Sequence, residues 1–87
     1  MIDRSITEIR NDSVISVGIN AFAGCASLTT VDLPNVTSIG TNVFNGISSN
    51  AVINLGAAEG EIEGAPWGAP NGVTINYTDG SIIVDNK

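Results

Sequence analysis

The sequence predicts a solenoid of short parallel strands, built from one 22-residue unit that is used repeatedly. A shift of the sequence by 22 aligns apolar residues with apolar residues and glycines with glycines, without insertions, over residues 6–55; the next strand, at 73–77, stays in register, but the turn before it departs from the unit. The clearest matches are Phe22 with Phe44 and Gly24 with Gly46. A constant period of this length indicates a repeat architecture, in which each unit buries its apolar face against its neighbours.

The first recognisable part of the unit is a strand. Residues 28–33 read LTTVDL, and Leu28, Val31 and Leu33 follow the Leu-x-x-Leu-x-Leu spacing of leucine-rich repeats. Val31 and Leu33 alternate with polar residues, as on one face of a strand, and Pro34 ends the strand because it lacks a backbone donor. The fold class that we predict is therefore a leucine-rich repeat solenoid, mainly β.

The rest of the unit predicts a corner and a helical turn. Residues 36–40, VTSIG, form a second short extended piece, which ends at a glycine that is able to turn the chain. Phe22, Cys25 and Leu28 recur at three-residue spacing, which favours one turn of helix or 3₁₀ helix. We expect these three side chains and Phe44 to stack in the core between successive coils.

We predict a single domain with about two and a half coils and a C-terminal capping hairpin. Trp67, between a proline and a glycine, is expected to cover the last core layer, since solenoids need atypical terminal coils. An exposed Trp67 would instead stack on sugar rings. Asp79-Gly80 favours a tight hairpin turn before a last strand at 81–84. The predicted segments of the domain, residues 1–87, are an N-terminal half coil at 6–13, coils at 14–35 and 36–57, and the cap with its hairpin at 58–87.

Composition excludes several classes of function. The net charge is −6, with three basic residues, which argues against binding to nucleic acid or an anionic membrane surface. There is no histidine and one cysteine, so the chain offers no intrachain disulfide and no zinc site of His and Cys ligands. Cys25 lacks a histidine that would activate it as a nucleophile, and we expect it to act as a small core hydrophobe. We predict no cofactor.

No apolar run is long enough for a membrane span, and residues 1–13 lack the apolar centre of a signal peptide. Three possibilities follow: the chain is cytosolic, it is exported in another way, or it is part of a longer protein whose signal lies upstream. We favour the last of these, with a location at the cell surface, or a virion protein that needs no signal. The N-terminal strand at 6–9 is predicted to be an uncovered edge, which proteins usually protect. We expect upstream coils of a longer parent or another chain to cover it.

Residues 16–28, SVGINAFAGCASL, followed by Val31-Asp32-Leu33-Pro34, resemble the BspA-type leucine-rich repeat, a bacterial surface family that is also found in gut bacteriophages. The second coil departs from this pattern, with Ile47, Asn50 and Gly56 in place of Cys, Leu and Pro. Residues 64–77 are similar to an ending of such repeats in phage and prophage tail proteins. Together the resemblances cover residues 14–78 and imply a binding or display module of a cell surface or tail fibre.

The polar positions between the strand leucines form the candidate binding face. They are expected to point outward in two columns across the coils, as a recognition surface for a protein or glycan, or simply as a solvated sheet face. Neighbouring strands lie about 4.8 Å apart, so Arg10 and Asp32 could pair, and on a solvated face such a pair would contribute at most about 1 kcal/mol. The candidate ligand-binding residues are Glu8, Arg10, Thr30, Asp32, Asn54, Thr74 and Asn76.

Glu59, Glu61 and Glu63 alternate in residues 59–64, EGEIEG, and would share one face if this segment were extended, which could attract calcium. The glycines equally suit a solvated corner, and no calcium-binding loop motif accompanies the glutamates, so we predict no metal site. We also predict that the chain is not an enzyme. Carboxylates alone would have to supply acid–base catalysis, and so small a sheet offers no cleft that would raise the pKa of one of them.

The leading hypothesis is a non-enzymatic recognition domain at the tip of a phage or prophage tail fibre or related tail protein. Its partners would be a protein or glycan on a cell surface, together with copies of itself, as a homotrimer for a fibre. The alternative is a fragment of a bacterial surface adhesin that binds host protein or glycan. A third hypothesis is a structural cap that trimerises or folds a longer shaft.

Overall fold

The computed structural model describes residues 6–85, and this part of the chain contains seven strands and no helix. Each strand is short, as expected for coils of 22 residues. The strands are β1 (Glu8–Arg10), β2 (Ser16–Val17), β3 (Thr30–Leu33), β4 (Ser38–Ile39), β5 (Val52–Leu55), β6 (Thr74–Tyr77) and β7 (Gly80–Ile83).

The larger sheet has the strand order β1-β3-β5-β6-β7. Its first four strands are parallel, and Ile9, Val31, Ile53 and Ile75 are neighbours in successive strands. Each of these residues follows the previous one by 22, so the sequence period becomes the register of the sheet. The smaller sheet pairs β2 with β4 in parallel, with the same offset. These observations confirm the predicted mainly-β leucine-rich repeat solenoid.

The core lies between the two sheets and the turns that join them. In β3, β5 and β6 the side chains alternate between half-buried and buried, as the period of two requires. Phe22 and Phe44 stack with their ring centroids 6.2 Å apart, and Trp67 meets Phe44 edge to face at 6.1 Å. The three rings therefore form one column across successive coils.

The predicted helical turns are hydrogen-bonded turns that do not become helix. Asn20 and Asn42 have φ of 60°, which is left-handed and interrupts a right-handed helix. The turn donors also bond between coils: the Gly24 N–H donates to the Asn45 carbonyl at 2.7 Å, and the Phe22 N–H donates to the Val43 carbonyl at 3.2 Å. In a helix these backbone N–H groups would donate to carbonyls of the same segment. Here they donate to carbonyls of the next coil and so connect the two coils.

Two turn positions of the repeat recur in the cap, although the side chains there change. Gly64 and Gly68 have φ of 90° and 80°, and they lie 22 residues after Asn42 and Gly46, which have φ of 60° and 82°. The Phe44 N–H donates to the Trp67 carbonyl at 3.0 Å, which continues the bonding between coils. This turn keeps the left-handed positions of the repeat at residues 64 and 68, but it departs from the repeat at Trp67, whose φ is 54°, whereas Ala23 and Asn45 at the equivalent positions are not left-handed.

The second coil compensates for its departures from the repeat pattern. Ile47 is buried at the position of Cys25, and Ala51 is buried beside the exposed Asn50. Gly56 replaces proline because its backbone approaches the previous coil closely: a Cβ atom there would overlap the carbonyl oxygen of Pro34. A glycine is needed at this close approach.

The C-terminal hairpin is present with a register different from the expected one. β7 pairs antiparallel with β6, and Tyr77 lies opposite Gly80, so Thr78 and Asp79 form the two-residue loop. Gly80, with φ of 151°, is the first residue of the strand rather than part of the turn. The last strand therefore spans Gly80–Ile83, one residue earlier than the predicted 81–84.

Candidate functional site

The outward face of the larger sheet brings all seven candidate ligand-binding residues together. Because strand neighbours are in register, these residues fall into two straight rows, and neighbouring positions within a row are about 4.8 Å apart. β7 adds one residue to each row. The first row is Glu8, Thr30, Val52, Thr74 and Ile83, and the second row is Arg10, Asp32, Asn54, Asn76 and Ser81.

The second row is a hydrogen-bonded ladder over its last three members. The Ser81 hydroxyl donates to Asn76 Oδ1 at 2.6 Å, and Asn76 Nδ2 donates to Asn54 Oδ1 at 2.7 Å. Asp32 is the register neighbour of Asn54 on β3. The ladder therefore runs in one direction, from the hydroxyl on β7 towards the carboxylate on β3. Sequence reasoning missed Ser81, because the repeat does not include β7 and the hairpin determines its register.

The other end of the face is charged, and its ion pair differs from the predicted one. Arg10 Nε lies 2.6 Å from a carboxylate oxygen of Glu8, two residues earlier on the same strand, rather than against Asp32. Both side chains are largely exposed, at 67% for Arg10 and 48% for Glu8. Arg10 thus pairs with Glu8 and not with Asp32, the partner that the sequence also allowed, because side chains two apart in a strand share one face and are close enough to pair.

A surface depression of about 480 Å³ adjoins this charged end. It is lined by Arg10, Asn11, Asp12, Asp32 and Pro34, so it combines a guanidinium with two carboxylates. The Asp12 backbone is held by the next coil, since Asn35 Nδ2 donates to its carbonyl at 2.6 Å. The strand pattern gave no signal for Asn11 and Asp12, which follow the end of β1.

The first row becomes apolar towards β7. Ile83 is 68% exposed and lies opposite Thr74, and Val52 is half-buried between the threonines of β3 and β6. Ile83 was not among the predicted residues, for the same reason as Ser81. The first row thus changes from a charged residue at β1, through threonines and a valine, to an apolar residue at β7, whereas the second row ends at β7 with the hydroxyl of Ser81.

The residues predicted for the core and cap lie inside the solenoid. Cys25, Leu28 and Phe44 are fully buried, Phe22 is half-buried, and Trp67 is 1% exposed. The Trp67 indole N–H donates to the Glu63 carbonyl at 2.7 Å, which satisfies its polar group. A Trp67 ring in this position cannot stack on a sugar, and Cys25 is out of reach of a substrate.

The acidic segment does not form the extended arrangement that a shared carboxylate face would require. Gly60 and Gly64, with φ of 91° and 90°, turn the chain on both sides of Glu61. The Ala58 N–H donates to Glu61 Oε1 at 2.6 Å, and the Glu59 N–H donates to Asp79 Oδ1 at 3.1 Å. Over residues 6–85, no three His, Cys, Asp or Glu side chains are grouped so that they could hold a metal ion.

The pKa of the Tyr77 hydroxyl is raised above its ordinary value. Burial raises the pKa of its hydroxyl, and the carboxylates of Glu59 and Asp79 raise it further. The hydroxyl is buried and has no hydrogen-bond partner. Tyr77 belongs to the inward face of β6. Within the described residues, no helix has the length and apolar character to cross a bilayer.

Comparison with protein families decides which repeat this is. Residues 3–64 match the family model described as "BspA type Leucine rich repeat region (6 copies)". The chain belongs to the BspA-type leucine-rich repeat family. Solenoids of such repeats are typically non-enzymatic, and this BspA-type domain is accordingly a protein-binding or adhesin-type repeat module. Neither the curated proteins nor the solved structures that were compared gave a match.

The BspA-type match ends at residue 64, before Trp67 and the hairpin. It covers the half coil, both full coils and residues 58–64 of the predicted cap, but not the rest of the cap. The likeness of residues 64–77 to the ends of phage and prophage tail proteins therefore stays a prediction.

Proposed function

We propose that this BspA-type domain is a non-enzymatic recognition module whose outward sheet face binds a protein or glycan on a cell surface. We further propose that it serves as the receptor-binding or tip domain of a phage or prophage tail fibre or tail protein. The observation that supports recognition is the pair of in-register rows, which present polar side chains on one exposed face. The assignment to a tail protein is supported by the resemblance of residues 64–77 to the ends of such repeats in phage and prophage tail proteins.

The chemistry of the face suits a neutral or basic polar ligand. Its amides and hydroxyls can both donate and accept hydrogen bonds, as sugar hydroxyls and peptide groups require. The depression beside Asp12 and Asp32 adds carboxylates that would accept bonds from sugar hydroxyls or pair with a basic side chain. The chain's net charge of −6 disfavours polyanions as ligands.

Two other functions each have an observation in their favour. A fragment of a bacterial surface adhesin that binds host protein or glycan is favoured by the family itself, which is of the adhesin type. A structural cap that folds or trimerises a longer shaft is favoured by the ladder of Ser81, Asn76 and Asn54, because side chains that satisfy one another have fewer groups left for a ligand.

The test is binding of the fluorescently labelled 87-residue chain to a panel of intact bacterial cells, to epithelial cells and to a glycan array. The test variant combines Asp32→Ala and Asn54→Ala. The matched control is Ser38→Ala, an exposed polar residue on the smaller sheet. If the domain is a tail tip, the unaltered chain is expected to bind particular bacterial strains. Compared with the unaltered chain, the test variant is expected to bind them at least tenfold more weakly, and the control equally well.

Each other outcome identifies a different function. Binding to epithelial cells or to host glycans, with the same loss in the test variant, would contradict the tail tip and support the adhesin. A folded test variant that binds every surface as well as the unaltered chain would contradict recognition by this face. Binding to none of the surfaces would support the structural cap. Far-UV circular dichroism establishes that each variant is folded.

A further inference from the structure

β1 is the first strand of the larger sheet, and one of its edges is unpaired within residues 6–85. Such an edge carries backbone donors and acceptors that can pair with another chain. The apolar residues behind it are also incompletely covered. Ile6, Ile9, Val14 and Phe22 pack against the core but remain half-buried, whereas Val31, one coil further in, is fully buried.

The hydrogen bonds to β3 show which backbone groups of β1 point away from the sheet. The Asn11 N–H donates to the Asp32 carbonyl, and the Thr7 carbonyl accepts from the Thr29 and Thr30 N–H groups. Because successive residues of a strand direct their backbone groups to opposite sides, Thr7, Ile9 and Asn11 bond to β3. Glu8 and Arg10 therefore direct their N–H and C=O groups to the unpaired edge.

The side chains on this edge are complementary to themselves. Glu8 and Arg10 lie on the same outward face, on either side of the inward Ile9. If a second β1 runs antiparallel with Ile9 opposite Ile9, each Glu8 lies opposite an Arg10 of the other copy. Opposite charges in directly opposed positions stabilise a strand pair, and like charges destabilise it.

We propose that β1 pairs antiparallel with β1 of a second copy, about a two-fold axis at Ile9, and that the chain thereby forms a dimer with one continuous sheet. The backbone pattern fits this pairing. Residues 8 and 10 of the two copies become the hydrogen-bonded pairs, each exchanging two N–H···O bonds, and the two Ile9 residues become the closely spaced non-hydrogen-bonded pair. The interface is isologous, as in most homodimers.

Charge selects this partner over the other edge of the same sheet. A head-to-tail contact would place β1 against β7, whose outward residues are Ser81 and Ile83. Neither of them can pair with Glu8 or Arg10. Glu8 and Arg10 already pair within each strand, and the antiparallel pairing of β1 with its copy gives each of these two charges a second partner across the interface. It also joins the second row of one copy to the first row of the other. This inference is independent of the ligand that the sheet face binds.

The decisive experiment is light scattering on a sizing column, over a range of concentrations, with charge reversals at the edge. The unaltered chain is expected to reach twice its 8.9 kDa mass as its concentration rises. Glu8→Arg leaves two basic residues at the edge and Arg10→Glu leaves two acidic ones, so each variant alone is expected to stay monomeric. An equimolar mixture of these two variants is expected to restore the dimer, because their edges are again complementary.

Two controls separate pairing from general charge and folding effects. Glu63→Arg makes the same change in charge at an exposed site away from β1 and is expected to leave the dimer intact. The double variant with Glu8→Arg and Arg10→Glu exchanges the two charges, so a basic residue of one copy still lies opposite an acidic residue of the other. It is therefore also expected to dimerise. A folded chain that is monomeric at all concentrations, a trimer, or dimers that persist in both single reversals would overturn the proposal.

Discussion

At the scale of single residues, Tyr77 shows a tension between packing and polarity. Its ring belongs to the inward face of β6 and is 8% exposed, while its hydroxyl is buried without a hydrogen-bond partner. A buried hydroxyl that has lost its water contacts costs about 1–3 kcal/mol. The ring therefore contributes to the core, and the hydroxyl opposes that contribution.

The residue-scale prediction concerns Tyr77→Phe and pH. The pKa of the hydroxyl is raised in the folded chain, so the neutral form contributes stability that is fully present below the unfolded pKa of about 10. This stability is lost as pH rises from that value through the folded pKa. Tyr77→Phe is therefore expected to be more stable than the unaltered chain in urea near neutral pH, by about 1–3 kcal/mol, and to lose less stability in alkali.

The absorbance of tyrosinate provides a direct check, because Tyr77 is the only tyrosine. The unaltered chain should titrate above the ordinary tyrosine value when folded and near it in urea. An ordinary pKa in the folded chain, or an equal alkaline loss of stability in Tyr77→Phe, would contradict this account.

At the scale of elements, successive coils contact each other through the residues at the ends of the strands as well as through the hydrogen bonds between the strands. Gly56, directly after β5, lies so close to the previous coil that any Cβ would overlap Pro34 backbone atoms. Gly18, directly after β2, has no atom within 4 Å of an added Cβ and no left-handed φ. The two glycines therefore test how closely the ends of the strands are packed.

We expect Gly56→Ala to lower the free energy of unfolding by about 1–3 kcal/mol, since the added methyl group forces two backbones apart. Gly18→Ala is the matched control and is expected to change it by no more than about 0.5 kcal/mol. Urea unfolding of both variants gives the comparison. Equal stabilities would show that the coils separate at Gly56 without cost.

At the scale of the whole molecule, the aromatic column unites the coils. Phe22, Phe44 and Trp67 stack from the first coil to the cap, and each contacts its neighbour. In a solenoid each unit contacts only adjacent units, so long arrays can lose cooperativity. This chain is short, and its rings connect every full coil with the cap, which favours unfolding as one unit.

We therefore expect one unfolding transition in urea. The fluorescence of Trp67, the only tryptophan, reports on the cap, and far-UV circular dichroism reports on the sheets. Coincident midpoints are expected for the two signals, and Phe44→Ala should shift both together, by about 3–5 kcal/mol in stability. A cap that unfolds at lower urea than the sheets would contradict a continuous core.

Much of the fold and the arrangement of the candidate face could be predicted from the repeat. Ile9, Val31, Ile53 and Ile75 are strand neighbours because stacked units of equal length place equal positions side by side, and alternation sends the residues between them outward. The same logic placed Phe22 on Phe44. These features depend only on period and alternation, both of which are visible in a single sequence.

Other features required the three-dimensional arrangement. Ser81 and Ile83 join the face only because the hairpin pairs Tyr77 with Gly80, and a shift of one residue would have pointed them inward. Arg10 pairs with Glu8 instead of Asp32, and the sequence does not distinguish these two nearby carboxylates as partners. Turn conformation, pairing register and competition between partners depend on backbone geometry at the level of single residues. The repeat period specifies which units are neighbours, but it leaves these local alternatives close in energy, and packing in the folded chain selects among them.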